Sequence, residues 1–228
     1  MNEEEPLAYT IGDQPFLGLT IYLDSHPLIP RPETEWWTEQ LLNQSKEVKP
    51  LYFLDLCSGS GAIGCAALKI LPDAQVYFGE IDPAHKATIL KNIRENNLDA
   101  ARADVRIGDL FEPFDMPAEG GSAFGGKFDV IAANPPYIPE DRELPKSVAD
   151  YEPSLALRAG ADGLAIIRRI AIELPKHLTE NGVLWLECDS SHAAAACELF
   201  KSQGLSAEIH NDQYDVPRVI VVSFNSGN

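Results

Sequence analysis

The residues Leu54-Asp55-Leu56-Cys57-Ser58-Gly59-Ser60-Gly61-Ala62-Ile63-Gly64 read as the end of an apolar strand, a tight glycine turn and the first turn of a helix. Glycine lets the backbone approach a ligand, because no Cβ stands in the way. The helix that follows offers free N–H groups and the positive end of its dipole. Leu51–Leu56 is the strand, and residues 62–71 form the helix, closed by Pro72. Outward from there, strands and helices alternate. Residues 75–81 are a second strand and 84–96 a second helix; Ala103–Ile107 and Phe128–Ala133 are further strands. Residues 162–177 and 192–203 are helical on either side of a strand at 183–188. Strands at 206–210 and 219–224 follow with no helix between them. This order predicts an α/β fold with a doubly wound, mostly parallel sheet covered on both faces and an antiparallel last strand.

Two smaller pieces precede it. Residues 1–15 read as an acidic leader, poorly ordered over its first ten positions. Residues 16–50 read as a hairpin or edge strand (16–23), an extended segment held by Pro27, Pro30 and Pro32, and a helix that packs on the main domain. Pro32 suits the first turn of that helix, which runs through Trp36, Trp37 and Leu41. The tryptophans read as core or rim packing. The main domain is 51–228. Within it, residues 119–127 carry four glycines and read as a mobile loop. A phosphate cradle is disfavoured there, since no Lys-Ser/Thr follows.

Composition narrows the function. The chain has 228 residues, 45% hydrophobic and 23% charged, as expected for one globular domain with a sizeable core. No apolar stretch is long enough to span a membrane, and the acidic start lacks a signal peptide's basic and apolar regions. Cys57, Cys65, Cys188 and Cys197 form no Cys-x-x-Cys pair, which suggests free, mostly buried thiols in a reducing cytoplasmic setting. The five histidines are scattered, so no metal is expected. The net charge is −17, with no basic stripe. Arg102/Arg106 and Arg168/Arg169 are the densest pairs and read as solvated faces. A protein or small-molecule substrate fits this balance better than nucleic acid, and a monomer is expected.

Glu80 ends the second strand, the position from which an acid binds ribose hydroxyls. With Gly59 and Gly61 it indicates a nucleoside-containing cofactor. The turn lacks the three-glycine fingerprint of dinucleotide binders because Cys57 fills the first position. Asp55, Glu80 and Asp109 would repel a pyrophosphate but not a sulfonium nucleoside such as S-adenosylmethionine. In Gly108-Asp109-Leu110-Phe111, Asp109 can accept from an adenine amine with Leu110 on the ring, or serve as a turn or cap residue.

Asn134-Pro135-Pro136-Tyr137 follows the fourth strand. Two prolines cannot extend that strand and fix a stiff turn. The turn presents an amide side chain, a backbone carbonyl and an aromatic ring. The Asn134 oxygen and the Pro135 carbonyl can each accept a hydrogen bond from a planar N–H group while Tyr137 stacks on it. Amides and base amines both fit. Glu187 ends a buried strand, where an acid either faces the site or is paired locally.

These stretches, in this order, resemble a class I S-adenosylmethionine-dependent methyltransferase, with its Rossmann-like fold. More narrowly, Pro30-Arg31-Pro32-Glu33-Thr34-Glu35, Asn134–Ile138, Tyr151-Glu152-Pro153 and Gly160-Ala161-Asp162-Gly163-Leu164 resemble the peptide chain release factor glutamine N5-methyltransferases. The match runs from about Phe16 to Phe224. The resemblance implies cofactor contacts at Thr34, Asp55, Cys57, Ser58, Gly59, Ser60, Gly61, Glu80, Asp109, Leu110 and Asn134. It implies a glutamine side chain held by Asn134, Pro135, Pro136 and Tyr137, with Asn134, Pro135 and Tyr137 carrying the catalysis. The implied substrate is the Gly-Gly-Gln motif of a class-1 release factor; a ribosomal-protein glutamine or a base amine in nucleic acid is the alternative. Cys57 stands where the family usually has glycine. That family carries a small helical domain ahead of the catalytic one, and only about fifteen residues precede the matching region here, so the chain reads either as a catalytic-domain-only member or as a truncated version.

Overall fold

The computed structural model describes residues 5–48, 51–115 and 125–225. The chain opens with helix α1 (Leu7–Ile11) and a hairpin of β1 (Asp13–Phe16) and β2 (Leu19–Tyr22). The expected leader is therefore shorter than its sequence suggests: a helical turn already forms at Leu7, anchored where the Tyr9 hydroxyl donates to the Pro27 carbonyl at 2.7 Å. Next come α2 (Pro32–Ser45), β3 (Leu51–Leu56), α3 (Ala62–Ile70), β4 (Ala74–Glu80), α4 (His85–Glu95), β5 (Ala103–Ile107) and β6 (Phe128–Ala133). Two short helices, α5 (Lys146–Ala149) and α6 (Ser154–Leu157), interrupt a long connection. The chain ends with α7 (Ala165–His177), β7 (Leu178–Glu187), α8 (Ala193–Ser202), β8 (Leu205–Asn211) and β9 (Pro217–Phe224). Of the loop expected at 119–127, residues 119–124 lie outside the described residues.

The seven-stranded sheet has the order β5-β4-β3-β6-β7-β9-β8. Strands β3 to β7 are mutually parallel, and β9 enters antiparallel between β7 and β8. Alternation along each strand feeds two cores. Phe53, Val76, Phe78, Val130 and Ala132 pack with α2, α3, α4 and the hairpin. Leu54, Leu56, Ile131, Leu184 and Leu186 pack with α7 and α8. In α7 the buried Ile167, Ile170, Ala171, Leu174 and His177 recur at helical spacing and form the stripe facing the sheet.

The proline segment before α2 is tied down from far along the chain. Arg31 Nη2 donates to Glu152 Oε1 at 2.5 Å, and Glu152 Oε2 accepts from the Ile29 N–H at 3.4 Å. At the head of α2, Pro32 stands in the first turn, and Glu35 accepts from the Leu17 N–H at 2.6 Å. The arginine pairs are not simply solvated. Arg102 donates to the carbonyls of Leu68, Leu71 and Ala74, closing the C-terminal end of α3. Arg106 lies 5.5 Å from the Tyr77 ring centroid and 5.3 Å from that of Phe114.

Glu152 has a side chain only 1% exposed, whereas Arg31 is 34% exposed. Arg31→Met should cost about 2–3 kcal/mol, somewhat less than a fully buried pair, because it strands a buried carboxylate. The check is a lower urea midpoint with an unchanged m-value.

Candidate active site

The strand order reverses between β3 and β6, and the turns at the carboxyl ends of both strands open on one crevice. It consists of three hollows of about 130, 40 and 200 Å³ that share Leu28 and Asn134. A wider hollow of about 830 Å³ lies toward the amino ends of the strands and collects none of the expected site residues.

The hollow of about 130 Å³ is lined by Cys57, Gly59, Glu80, Asp109, Leu110 and Pro136, among others. Thr34, Ser58 and Ser60 join the second, and Tyr137 lines the third with Arg31 and Ile138. The crevice thus collects most of the residues singled out in the sequence. Asp55, Gly61 and Pro135 stand behind it. Asp55 is buried; its Oδ2 accepts from the Gly64 N–H at 2.8 Å and so ties the strand to α3. Gly61 takes the left-handed conformation at the head of α3. Pro135 is a buried member of the turn itself.

Glu80 does more than end a strand. Oε2 accepts from the Gly59 N–H at 2.7 Å and Oε1 from the Asp82 N–H at 2.8 Å. Each oxygen retains a further lone pair for a hydroxyl donor in the hollow. Gly59 adopts φ +54°, and a Cβ there would meet nothing nearer than Pro27 at 3.9 Å, so its absence keeps the hollow open. Asp109 pairs with Arg169 at 2.9 Å, so the arginine expected on a solvated face stands at the rim of the site. Arg158 donates to the Pro139 and Arg142 carbonyls.

Cys57 has φ +62° and Leu110 φ +49°, conformations that favour glycine. The first explains why a glycine suits position 57. Burial pushes the Cys57 thiol well above its ordinary range, with the charges of Glu80, Asp55 and Asp109 adding to the effect.

Asn134 Nδ2 donates to Thr34 Oγ1 at 3.3 Å, and the Asn134 Oδ1 accepts from no described residue. The turn continues into Ile138, which pairs with the 157–159 segment through its N–H to the Leu157 carbonyl. Gly163 presses on this turn: a Cβ there would stand 2.4 Å from the Tyr137 carbonyl oxygen. The sequence reading missed Leu28, the Arg31–Glu152 clamp and the setting of Glu187. The clamp left a trace: it joins two of the distant stretches that carry the family resemblance, Pro30–Glu35 and Tyr151–Pro153. Among the described residues, no three His, Cys, Asp or Glu side chains group as metal ligands would. No helix among the described residues is long and apolar enough to cross a membrane.

Comparison with known proteins adds a family setting. The family described as "Conserved hypothetical protein 95" matches residues 27–200. The release factor glutamine methyltransferase of Chlamydia trachomatis serovar L2 is 36% identical over 218 residues, covering 93% of this chain and 70% of that protein. Its namesake from Clostridium acetobutylicum is 35% identical over 220 residues, covering 95% and 74%. Among solved structures, a methyltransferase from Pyrococcus furiosus superposes with a TM-score of 0.58 at 17% identity, covering 90% of this chain and 88% of that one. A release factor-specific protein-(glutamine-N5) methyltransferase from Alicyclobacillus acidocaldarius gives 0.52 at 22%, covering 89% and 97%.

Two outcomes follow for the turn and its buried acid. Cys57→Gly should raise stability by about 0.5–1 kcal/mol, since relief of a left-handed cost of about 1–2 kcal/mol exceeds the glycine entropy penalty. A lower melting temperature for that variant would mean that thiol packing dominates. Burial pushes the Asp55 carboxyl up to about 8, the Gly64 N–H opposing and the Glu80 charge assisting. The folded state therefore holds this proton above the unfolded value of about 3.9. The contribution to stability is complete below that pH and is lost as pH rises through the folded value. Asp55→Asn should flatten this decline in unfolding free energy between about pH 4 and 8, measured against the parent chain.

Proposed function

The chain belongs to the family of release factor glutamine methyltransferases, and from that premise we propose that it methylates the side-chain amide nitrogen, N5, of a glutamine in a protein. The methyl donor is S-adenosylmethionine, and the substrate is the Gly-Gly-Gln motif of a class-1 peptide chain release factor. The observation that carries the reading is Asn134. Its Nδ2 is engaged by Thr34, which leaves Oδ1 turned to a crevice shared with the Gly59 turn.

The crevice suits a cationic nucleoside. Its wall carries the acids Glu80 and Asp109, with Leu110 and Ile81 as apolar surface. Glu80 would take ribose hydroxyls and Leu110 the base, while the Gly59 turn and Thr34 flank the methionyl part. When bound, this donor supplies an electrophilic sulfonium methyl.

An amide nitrogen is a poor nucleophile because its lone pair is delocalised into the carbonyl. Hydrogen bonds from the amide N–H groups to Asn134 Oδ1 and the Pro135 carbonyl raise electron density on nitrogen and aim it. The Tyr137 ring holds the amide plane. Tyr137 does not serve as the base. Burial, reinforced by the charge of Glu187, pushes its phenol well above the ordinary range, and its hydroxyl donates to that carboxylate.

The four cysteines are free thiols, which suits a cytosolic enzyme, and we take it to act as a single chain.

The test is methyl transfer from labelled S-adenosylmethionine to a purified class-1 release factor and to its Gln→Ala version. Label on the first alone is expected. Absence of label on both, in protein that binds the donor, would redirect the search to ribosomal proteins and RNA. Asn134→Ala should lose about 100-fold or more in transfer rate at saturating donor, beyond any loss of donor affinity.

A further inference from the structure

Glu187 ends β7 with 1% of its surface exposed, and three side chains, two from α2 and one from the turn after β6, converge on its carboxylate. Oε2 accepts from the Thr34 hydroxyl and from the Trp37 indole N–H, both at 2.7 Å. Oε1 accepts from the Tyr137 hydroxyl at 3.0 Å. Thr34 Oγ1 in turn accepts from Asn134 Nδ2 at 3.3 Å. The direction of each bond is set by chemistry. An indole N–H can only donate, and a carboxylate can only accept. The Thr34 hydroxyl has one proton. With that proton given to Glu187, Thr34 offers Asn134 only lone pairs. Asn134 must then turn its NH2 group to Thr34 and its carbonyl oxygen to the crevice.

We propose that Glu187 is a positioning residue for methyl transfer, fixing through Thr34 which way the Asn134 amide faces and through the Tyr137 hydroxyl where the ring lies. This rests on the reading of Asn134–Tyr137 as the amide-gripping turn. Without an acceptor at 187, the Thr34 hydroxyl is free to donate to Asn134 Oδ1, which turns the amide over and presents donors to a substrate group that is itself a donor. Glutamine at 187 still provides one oxygen for Thr34 and Trp37, so it preserves the relay to Asn134.

The experiment compares Glu187→Leu, Glu187→Gln, Thr34→Val, Thr34→Ser and the double variant Glu187→Leu/Thr34→Val in labelled methyl transfer, with donor affinity measured by calorimetry. Asn134→Ala runs alongside. Glu187→Leu should lower kcat by about 100-fold, a typical effect of misplacing a reacting group, with KM for the protein substrate nearly unchanged. Glu187→Gln should recover most of that loss, and Thr34→Ser most of the loss in Thr34→Val. The double variant should be no slower than the worse single one, because both changes break one relay. Should Glu187→Leu fail to fold, the Thr34→Val and Thr34→Ser pair decides alone. Full kcat in Thr34→Val, or additive losses in the double variant, would overturn the proposal. If Asn134→Ala keeps full transfer, the reading of the turn has failed; if Asn134→Ala is inactive while Glu187→Leu and Thr34→Val are not, only the relay has failed.

Discussion

Parallel strands in register end together, and the site is a consequence of that constraint. Leu56 pairs with Gly79 on one side and Ala133 on the other, and Ala133 pairs with Leu186. One residue further along each strand, Cys57, Glu80, Asn134 and Glu187 therefore form a row across the carboxyl edge of the sheet. Chain positions tens of residues apart become neighbours because each lies at a strand end or one residue beyond it. Because both faces of the sheet are buried under helices, the edge is the place where polar side chains can converge on a ligand.

Around that row the protein builds a second boundary from the segment before α2. Its backbone is held by the buried Glu152 and by the Tyr9 hydroxyl. It contributes Leu28 to all three hollows and delivers Thr34 to the Glu187 carboxylate. The N-terminal segment is thus part of the wall of the site and closes what the sheet edge leaves open. The acids of the crevice, Glu80, Asp82 and Asp109, lie on the sheet-edge side. In the hollow beside the Gly59 turn, the acids Glu80, Asp82 and Asp109 outnumber the one arginine, Arg158, a balance that suits a positively charged donor better than one that carries phosphates.

Some residues changed meaning between sequence and structure. Asp55, expected at the cofactor, lies behind the turn and secures the helix. Asp109, read as a base-amine acceptor or a turn residue, lines the crevice and also pairs with Arg169 at its rim. Arg102, read as solvated, satisfies the last carbonyls of a helix. In each case the residue type was right for two roles, and the neighbours that choose between them lie far away in sequence. Glu187 is the clearest instance, since a strand-end acid pairs locally in most settings and here joins three elements.

The sequence by itself determined the alternation of strands and helices, the glycine turn after β3 and the stiff proline turn after β6. These depend on local chemistry: apolar periodicity, a missing Cβ and a fixed φ. Only the tertiary structure decided that Glu187 and Thr34 orient Asn134, that Arg31 meets Glu152, and that Cys57 sits in a left-handed conformation. Those outcomes depend on strand register and on which groups burial brings within hydrogen-bonding distance, and no window of sequence contains both partners.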